Sequence, residues 1–359
     1  MAKGSRVGGV PLLSMDEQSG PVLATVIPVY NEALHVAACL NSLINQTLAP
    51  EQHMIMVLDG GSTDDTRSIV ESIMATASTD GGPPMVLLDN PGRTVAHARN
   101  LALEHLPPTV EFLVEMIGHA VVESSHLEQR LEAWSACERL AGDALAGVGV
   151  RVVPLNQGRG GVTMWVEGAL ASPLGQSGGQ FAMFTKPEPT SVPAFVMHKR
   201  QAVEAVGGWD EAFITSQDSD LSMRLQKAGH VLYRHPSPTV AMHKRSSLRQ
   251  WWKMGHRYGF WRTKVLLKHP TRATWQEFLP LLGLVVTAML SLQAPQFGLW
   301  LPLLYLLALA LAGVHQTLHQ RSFSCLLGVP LCLVMLHTSF TVGLVDGVFR
   351  QGRLPSDRA

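Results

Sequence analysis

The run Val22–Val29, VLATVIPV, decides the fold class of this 359-residue chain. It is a short block of apolar, partly β-branched residues that stops at the polar Tyr30-Asn31-Glu32. Such a block is typical of a parallel strand that is buried on both faces. Asn31 is a good helix cap, and apolar residues then recur at helical spacing as far as Ile44. The sequence therefore predicts a strand, a sharp polar turn and a helix.

Further strand–helix alternations follow the first. Strands are predicted at Met54–Leu58, Met85–Leu88, Phe112–Ile117 and Gly147–Val153, and helices at about 66–74, 94–106, 124–140, 199–206 and 218–228. This alternation predicts βαβ units and an α/β domain built on a parallel sheet. The Gly-rich segment Asn156–Gln180 is predicted to be a loop, and it is a candidate lid over a bound ligand.

The charges are unevenly distributed, although 28 basic and 28 acidic residues cancel. From Phe278 to Val345 only Arg321 is charged, whereas Lys244–Arg272 contains basic residues and no acidic one. Net neutrality argues against a nucleic-acid binder. The four cysteines form no CxxC pair, which suits a reducing compartment, and residues 1–20 lack the apolar core of a secretory signal. We therefore expect the polar body to be cytoplasmic.

The apolar tail predicts a multi-pass protein of the cell membrane. Its stretches are Phe278–Leu292, Phe297–Val314 and Phe323–Val345, and a bilayer span needs about 20 apolar residues. The third stretch is long enough, the second is marginal and the first is short, so two or three transmembrane helices are predicted within 278–349. We expect a flexible N-terminus over 1–21, a catalytic domain over 22–243, a basic amphipathic interfacial segment over 244–277 and a tail over 350–359.

The basic interfacial segment also bears on the topology. Lysine and arginine near a membrane are attracted to anionic lipid by roughly 1 kcal/mol each, and tryptophan suits the interface. The positive-inside rule places this segment in the cytoplasm. A third span would put Arg350, Arg353 and Arg358 outside, against that rule, so the topology of the tail stays open.

Polar clusters follow four of the predicted strands. They are Tyr30-Asn31-Glu32, Asp59–Asp65, Asn90–Arg93 and Gly118-His119. In an open α/β sheet, ligands bind at the carboxyl ends of the strands. We therefore expect the four clusters to line one crevice.

These motifs resemble those of the inverting family 2 glycosyltransferases. The resemblance is carried by Thr25–Glu32 (TVIPVYNE), Leu58–Thr66 (LDGGSTDDT), Gly207–Glu211 (GGWDE) and Gln217–Leu225 (QDSDLSMRL). The segments Arg245–Leu248, Tyr258–Arg262 and Lys268–Pro270 are similar to the succinoglycan-type membrane-attached subgroup. The resemblance covers about residues 22–272. It implies a nucleotide-sugar-binding α/β fold of the Rossmann-like A type, here followed by a helical transmembrane tail.

The resemblance implies which residues bind the nucleotide sugar. Asp59 matches the carboxylate that contacts the nucleotide base, where an acceptor can take a base N–H. The remaining matches are Pro28, Tyr30 and Glu32 at the nucleotide-facing lip, and Arg93 and Gly118 beside the nucleotide or its diphosphate. Asp64 is interpreted as a turn and cap residue.

Asp218 matches the general base of the family. Inverting sugar transfer needs one carboxylate to take the proton of the acceptor hydroxyl as it attacks the anomeric carbon. Gln217 stands where the family has glutamate, so one like charge beside the base is missing and its pKa is expected to be less raised. Asp220, two residues further on, is the alternative base.

The metal site departs from the family pattern of Asp-x-Asp or Asp-x-His. Ile117 stands at the first aspartate position, and only His119 remains. A hard Mg²⁺ or Mn²⁺ prefers oxygen ligands, so Glu115 would have to lean in or His243 would have to help. Three interpretations stay open: a metal held mainly by the diphosphate with His119, metal independence, and a degenerate catalytic site.

The resemblance therefore implies an enzyme that moves a sugar from a nucleotide-sugar donor to a lipid-linked or growing glycan acceptor. Contacts to the acceptor or the diphosphate are expected from Gln217, His243, Arg245 and Arg249. The missing acidic metal residue leaves one alternative, a non-catalytic relative that binds nucleotide or a partner enzyme at the membrane. A small transporter fits poorly, because the tail lacks the buried charges that mark a pathway.

Overall fold

The computed structural model describes residues 20–155, 161–175, 184–242, 247–350 and 352. Its strands are β1 Leu23–Val29, β2 His53–Asp59, β3 Met85–Asp89, β4 Phe112–Glu115, β5 Ala120–Val121, β6 Leu145–Pro154, β7 Glu188–Pro189, β8 Met197–Lys199 and β9 Val231–Met242. Its body helices are α1 Val36–Ile44, α2 Thr66–Thr79, α3 Val95–Glu104, α4 His126–Ala141, α5 Gly161–Ala171, α6 Arg200–Ala205 and α7 Gln217–Lys227. The C-terminal helices are α8 Leu248–Lys268, α9 Leu279–Gln293, α10 Trp300–Gln320 and α11 Cys325–Phe349.

The sheet of the described residues runs in the order β3-β2-β1-β4-β8-β6-β9-β5, with β7 paired to β9. The predicted parallel arrangement is confirmed for β3-β2-β1-β4. It is wrong at β8, which is antiparallel to both of its neighbours, whereas β6 and β9 beyond it are again parallel. β8 has three residues, too short for a periodic signal in the sequence.

Helices cover both faces of the parallel half of the sheet. Ala24, Val26 and Leu58 pack on one side with residues of α3, whereas Ile27 and Val29 pack on the other side with residues of α1 and α2. β1 is therefore buried along nearly its whole length, which explains why it is an unbroken apolar run.

The segment Asn156–Gln180 is not a loop throughout, so that prediction was wrong for its middle. α5 occupies Gly161–Ala171, and residues 156–160 and 176–180 lie outside the described part. α5 packs on the C-terminal helices: Trp165 Nε1 donates to Ser324 Oγ at 3.1 Å, and Val166 and Ala169 share an apolar cluster with α11. Tertiary packing stabilises this helix where glycine-rich local sequence disfavours one.

Three helices of the described chain are long and apolar enough to cross a membrane. They are Trp275–Gln293, Pro295–Gln320 and Cys325–Phe349. Their surroundings differ, since 6% of the apolar window is buried in the first, 17% in the second and 39% in the third. α11 is therefore the most embedded in protein of the three.

α8 and α11 lie side by side with their chains running in the same direction. Near the start of α8, Trp251 Nε1 donates to the carbonyl of Cys332 at 2.8 Å. Further along α8, Lys264 Nζ donates to the carbonyl of Arg350 at 2.7 Å. Gly259 of α8 and Gly343 of α11 lie so close to the opposite backbone that neither position has room for a Cβ. Small residues at such positions let two helices approach backbone to backbone.

Candidate active site

The turn after β2 is built around Asp59. The register pairs Asp59 with Val29, the last residue of β1, so the polar residues that follow both strands meet at one edge. Asp59 is buried and its Oδ1 accepts from the backbone N–H of Ser62 at 3.0 Å and from Ser62 Oγ at 2.6 Å. Asn31 Oδ1 accepts from the N–H of Thr63 at 2.8 Å. The second oxygen of Asp59 lies 3.7 Å from Arg67 Nη1.

Asp64 acts within this turn, in agreement with its interpretation as a turn residue. Its Oδ2 accepts from the N–H of Ala33 and its Oδ1 from the hydroxyl of Thr66, at 3.1 and 2.5 Å. The Thr66 hydroxyl is the main reason why the pKa of Asp64 is lowered. The carboxylate therefore fixes the start of α2 against the segment that carries Glu32.

Other residues predicted to contact the nucleotide lie at the same edge. Tyr30 is exposed, Pro28 is half-buried at the end of β1, and Arg93 is exposed with its guanidinium beside Gly61. Arg93 has a positive φ of 54°, an uncommon backbone conformation for a non-glycine residue. The expected lip residues are thus neighbours, and Arg93 lies next to the turn of Asp59.

Gly118, His119 and Glu32 form a close group at the end of β4. A Cβ on Gly118 would lie 3.0 Å from Glu32 Cγ, so this residue lets the two segments approach. His119 Nδ1 lies 2.7 Å from Glu32 Oε1. Both side chains are partly exposed, 33% for His119 and 19% for Glu32.

The arrangement of these side chains bears on how a divalent ion would be bound. Among the described residues, no cluster of three His, Cys, Asp or Glu side chains is arranged to hold a metal ion. Glu115, which would have to lean in to help His119, is buried and paired elsewhere, 3.0 Å from Arg99 Nη1 and 3.3 Å from His198 Nε2. Burial opposes its ionisation, but Arg99 and His198 hold its pKa at about 2.

Glu32 and His119 nevertheless fit an ion that arrives with its substrate. Mg²⁺ in phosphate sites usually takes one or two protein carboxylates, with the phosphates and water as its other ligands. Glu32 brings a carboxylate next to His119, whereas the sequence has none at Ile117. The sequence pointed to Glu32 only as a nucleotide contact.

Asp218 is the second residue of α7. The helix begins directly after Ser216, which has a left-handed backbone conformation with φ 67°. The carboxyl is half-buried, and its Oδ1 accepts from the N–H of Ser219 at 2.8 Å. Burial and then the negative charge of Glu115 raise its pKa. Gln217 cannot supply the negative charge that a glutamate would place beside Asp218. Glu115, at the end of β4, supplies a negative charge near Asp218 instead.

Gln217, the residue before Asp218, is buried. Its Oε1 has no hydrogen-bond partner among the described residues, although it is shielded from solvent. A buried carbonyl oxygen of this kind is costly to leave unpaired, so it suits the hydroxyl of a bound ligand.

Asp220 is a different kind of residue from Asp218. It is fully buried and its carboxylate contacts Arg224 Nε, Lys268 Nζ and His269 Nε2 at 2.8, 2.7 and 2.8 Å. Burial opposes its ionisation, but these three partners keep its pKa below the usual value. A carboxylate paired in this way has little capacity to take a proton, so the geometry favours Asp218 over Asp220 as a base.

The same network fixes α7 in the body. Arg224 donates from its two terminal nitrogens to the carbonyls of Val206 and Gly208, each at 2.7 Å. The Gly207–Glu211 motif is also held by Asn100, which exchanges two hydrogen bonds with the backbone of Trp209. This motif is therefore the support of the helix that carries Asp218.

The basic residues that were predicted to contact the acceptor are not brought to Asp218 by the described part of the structure. Arg249 is exposed in the first turn of α8, and His243 and Arg245 lie outside the described residues. The structure instead brings Arg99, Arg262 and Arg272 within electrostatic reach of Asp218. The sequence held a signal for Arg262, because it ends the quoted motif Tyr258–Arg262.

Comparison with known proteins decides the family. The family model “Glycosyl transferase family group 2” matches residues 121–344, and “Glycosyl transferase family 2” matches residues 25–171. The succinoglycan biosynthesis protein ExoA of Rhizobium meliloti is 31% identical over 271 residues, which are 75% of this chain and 77% of that protein. The chain belongs to the family 2 glycosyltransferases. It is therefore an enzyme of this class, and the non-catalytic alternative is disfavoured.

Two further glycosyltransferases resemble the chain over most of its length. A dolichyl N-acetyl-alpha-D-glucosaminyl phosphate 3-beta-D-2,3-diacetamido-2,3-dideoxy-beta-D-glucuronosyltransferase of Methanococcus voltae is 22% identical over 334 residues, 91% of this chain and 97% of that one. The mannosyltransferase PcManGT from Pyrobaculum calidifontis, solved with GDP-Man and Mn²⁺, matches with a TM-score of 0.55 and 19% identity. That match covers 92% of this chain and 88% of the other, and it confirms the A-type glycosyltransferase fold.

Proposed function

We propose that this glycosyltransferase is attached to the membrane and transfers a sugar, with inversion, from a nucleotide sugar to a lipid-linked or growing glycan. The observation that carries the proposal is the placement of Asp218, a half-buried carboxyl with a raised pKa in the first turn of α7. The relatives support the acceptor class. One is named for succinoglycan biosynthesis, and the other for a dolichyl-phosphate-linked sugar.

In the proposed reaction the acceptor hydroxyl attacks the anomeric carbon from the face opposite to the nucleotide. A new C–O bond forms while the bond between that carbon and the diphosphate oxygen breaks, and the nucleoside diphosphate leaves with the bonding electrons. Asp218 takes the proton of the hydroxyl and later releases it to water. A carboxylate with a raised pKa is a better proton acceptor at neutral pH than an ordinary aspartate.

The donor would be held at the other edge of the crevice. Asp59 would accept an N–H of the nucleotide base, with Tyr30, Pro28, Arg93 and Gly118 around the nucleotide. Asp59 is held in place by Ser62, so it would be pre-oriented for this contact.

We further propose that Glu32 and His119 are the protein ligands of any divalent ion that enters with the diphosphate. PcManGT, a protein of the same fold, was solved with Mn²⁺. Such an ion, when bound, neutralises charge on the departing diphosphate.

The membrane topology that we propose has two crossings, by α9 and α10. α11 is 25 residues long, which is about 37 Å for a helix. Yet its first turn lies next to α5, through Ser324 and Trp165, and its last residues lie next to Lys264 of α8. Since α5 is a body helix and the end of α8 is tied to α7 through Asp220, we propose that α11 stays on the body's side. Arg350 then remains in the cytoplasm, as the positive-inside rule prefers.

The topology is tested by cysteine labelling in intact cells. The four native cysteines are buried, so single exposed cysteines at Gln296 and at Gly352 can be compared with a membrane-impermeant maleimide. We expect Gln296→Cys to be labelled from outside and Gly352→Cys only after lysis. Labelling of Gly352→Cys in intact cells would show that α11 crosses.

The activity is tested with purified protein and a panel of nucleotide sugars, with EDTA or added Mn²⁺. Donor hydrolysis is measured as well as transfer, because the correct acceptor may be absent from the assay. The stereochemistry of any product is read by proton NMR. A product that retains the anomeric configuration of the donor would contradict the inverting mechanism.

A further inference from the structure

Two arginines of the basic interfacial segment, Arg262 and Arg272, both lie next to the carboxylate of Glu277. Arg262 Nε lies 3.3 Å from Glu277 Oε2, and Arg272 Nη1 lies 3.6 Å from Glu277 Oε1. The Glu277 side chain is only 3% exposed, and those of Arg262 and Arg272 are 17% and 14% exposed. The group therefore has two positive charges against one negative charge, in surroundings that are largely shielded from water.

The two guanidinium groups are also incompletely hydrogen-bonded. Arg262 Nη1 and Arg272 Nε are buried, and neither has a hydrogen-bond partner within the described ranges. Burying a charged donor without a hydrogen-bond partner costs free energy, and the nearby carboxylates of Glu277 and Asp218 still leave these two nitrogens unpaired. An anion with several acceptor oxygens would satisfy both groups, and arginine suits phosphate because its planar fork can donate two parallel bonds.

The position of the pair indicates which substrate such an anion belongs to. α8 is fixed to the base-bearing helix α7, because Lys268 and His269 at its end both contact Asp220. Arg262 and Arg272 are both close enough to Asp218 for their charges to affect it. Glu277 lies in the short turn that leads into α9, the first helix able to cross a membrane. The pair thus lies between the proposed base and the membrane.

We propose that Arg262 and Arg272 bind the phosphate of a lipid-linked acceptor and so place the acceptor sugar beside Asp218. This inference rests on the proposed function, because it assumes that Asp218 marks the acceptor side of the crevice. Phosphate chemistry is common to the acceptor and to the leaving nucleoside diphosphate. The position next to the base and the membrane assigns this site to the acceptor.

The test uses full-length protein in detergent and two probes, farnesyl phosphate and UDP, with binding followed by calorimetry. Arg262→Gln and Arg272→Gln are each expected to weaken farnesyl phosphate binding about tenfold, the loss expected for one charge-assisted hydrogen bond, and to leave UDP binding unchanged. Lys253→Gln is the matched control, because it removes an exposed positive charge from the same helix and should leave both affinities unchanged.

A second variant guards against a purely structural effect. Glu277→Gln removes the carboxylate that competes with the ligand, so it is expected to tighten farnesyl phosphate binding several-fold. A structural bridge would give the opposite sign or no change.

The proposal is overturned if folded Arg262→Gln and Arg272→Gln proteins bind farnesyl phosphate like the parent. A loss that affects UDP instead of farnesyl phosphate would also overturn it, by assigning the pair to the donor. Both results are independent of turnover, so they are distinguishable from a failure of Asp218 as the base.

Discussion

The two ends of the crevice are built in different ways. At the donor end Asp59 is buried, but Tyr30 and Arg93 are exposed and the Glu32–His119 pair is partly exposed. At the base end, Asp220 and Glu115 are buried carboxylates, and each is paired with arginine and histidine. A solvated end can adapt to a ligand, whereas buried charge pairs hold their geometry and are costly to break.

This difference predicts which end of the crevice affects the reaction rate when it is mutated and which end affects ligand affinity. The base end is fixed before any substrate arrives, so changes there should lower the rate or the stability of the protein. Changes at the donor end should mainly weaken nucleotide or metal binding, because few buried partners are left unpaired.

The largest effect is expected for Asp218→Asn. Removal of a general base should lower turnover by about 10²- to 10⁴-fold, while UDP or GDP binding, measured by calorimetry, stays nearly unchanged. Asp65→Asn is the control, since Asp65 is an exposed carboxylate at the start of α2 without a capping hydrogen bond. Near-normal turnover of Asp218→Asn would remove the base assignment and the contrast between the two ends.

Asp220→Asn is expected to act on stability instead of chemistry. It leaves Arg224, Lys268 and His269 without their shared counter-charge, at a cost of about 3 kcal/mol in the free energy of unfolding. Lys268 is 39% exposed and so is partly compensated by water, which makes this figure an upper estimate. Thermal unfolding in detergent would show it, and an unchanged midpoint with abolished turnover would exchange the roles of the two aspartates.

A smaller effect is expected at the donor end. Asp59→Ala should weaken UDP or GDP binding about tenfold, the loss of one hydrogen bond to a charged acceptor. Calorimetric titration against Asp80→Ala, an exposed carboxylate at the end of α2, measures the difference. Equal affinities for the two variants would show that Asp59 does not touch the nucleotide.

The smallest effect is expected for His119→Ala. If the diphosphate supplies most of the ligands of a divalent ion, loss of one imidazole should raise the Mn²⁺ concentration for half-maximal activity by no more than about tenfold. His105→Ala serves as the control, because His105 is an exposed histidine directly after α3. The same response to EDTA and Mn²⁺ in His119→Ala and the parent would exclude His119 from the site.

The sequence was sufficient to predict the polar turns after β1 and β2 and the parallel order of the first half of the sheet. The apolar runs of β1 and β2 and the polar turns after them are local patterns, and the parallel order of the sheet brings those turns together. The exchange of hydrogen bonds between Asn31 and the Ser62–Thr63 turn is a consequence of that order.

The base end depended on contacts between distant parts of the chain, which one sequence does not reveal. Glu115 was one of two residues that could have helped His119 to hold a metal, but Arg99 and His198 contact it from α3 and β8. The glycines of 156–180 suggested a loop, yet close packing on α11 stabilises α5. Arg262 and Arg272 lie in a basic stretch in which the sequence alone does not distinguish one positive charge from another. The fold distinguishes these two, because both contact Glu277.

The pH dependence of single-turnover transfer is the most direct measurement of Asp218 as the base. Burial and Glu115 raise its pKa, so the carboxylate becomes protonated at a higher pH than an ordinary aspartate. A protonated base cannot accept the hydroxyl proton, so the rate should fall as the pH drops through this raised pKa, by about tenfold per unit. We expect the parent protein to show this acid limb and Asp218→Asn to be slow and independent of pH over the same range. An unchanged acid limb in Asp218→Asn would contradict the assignment.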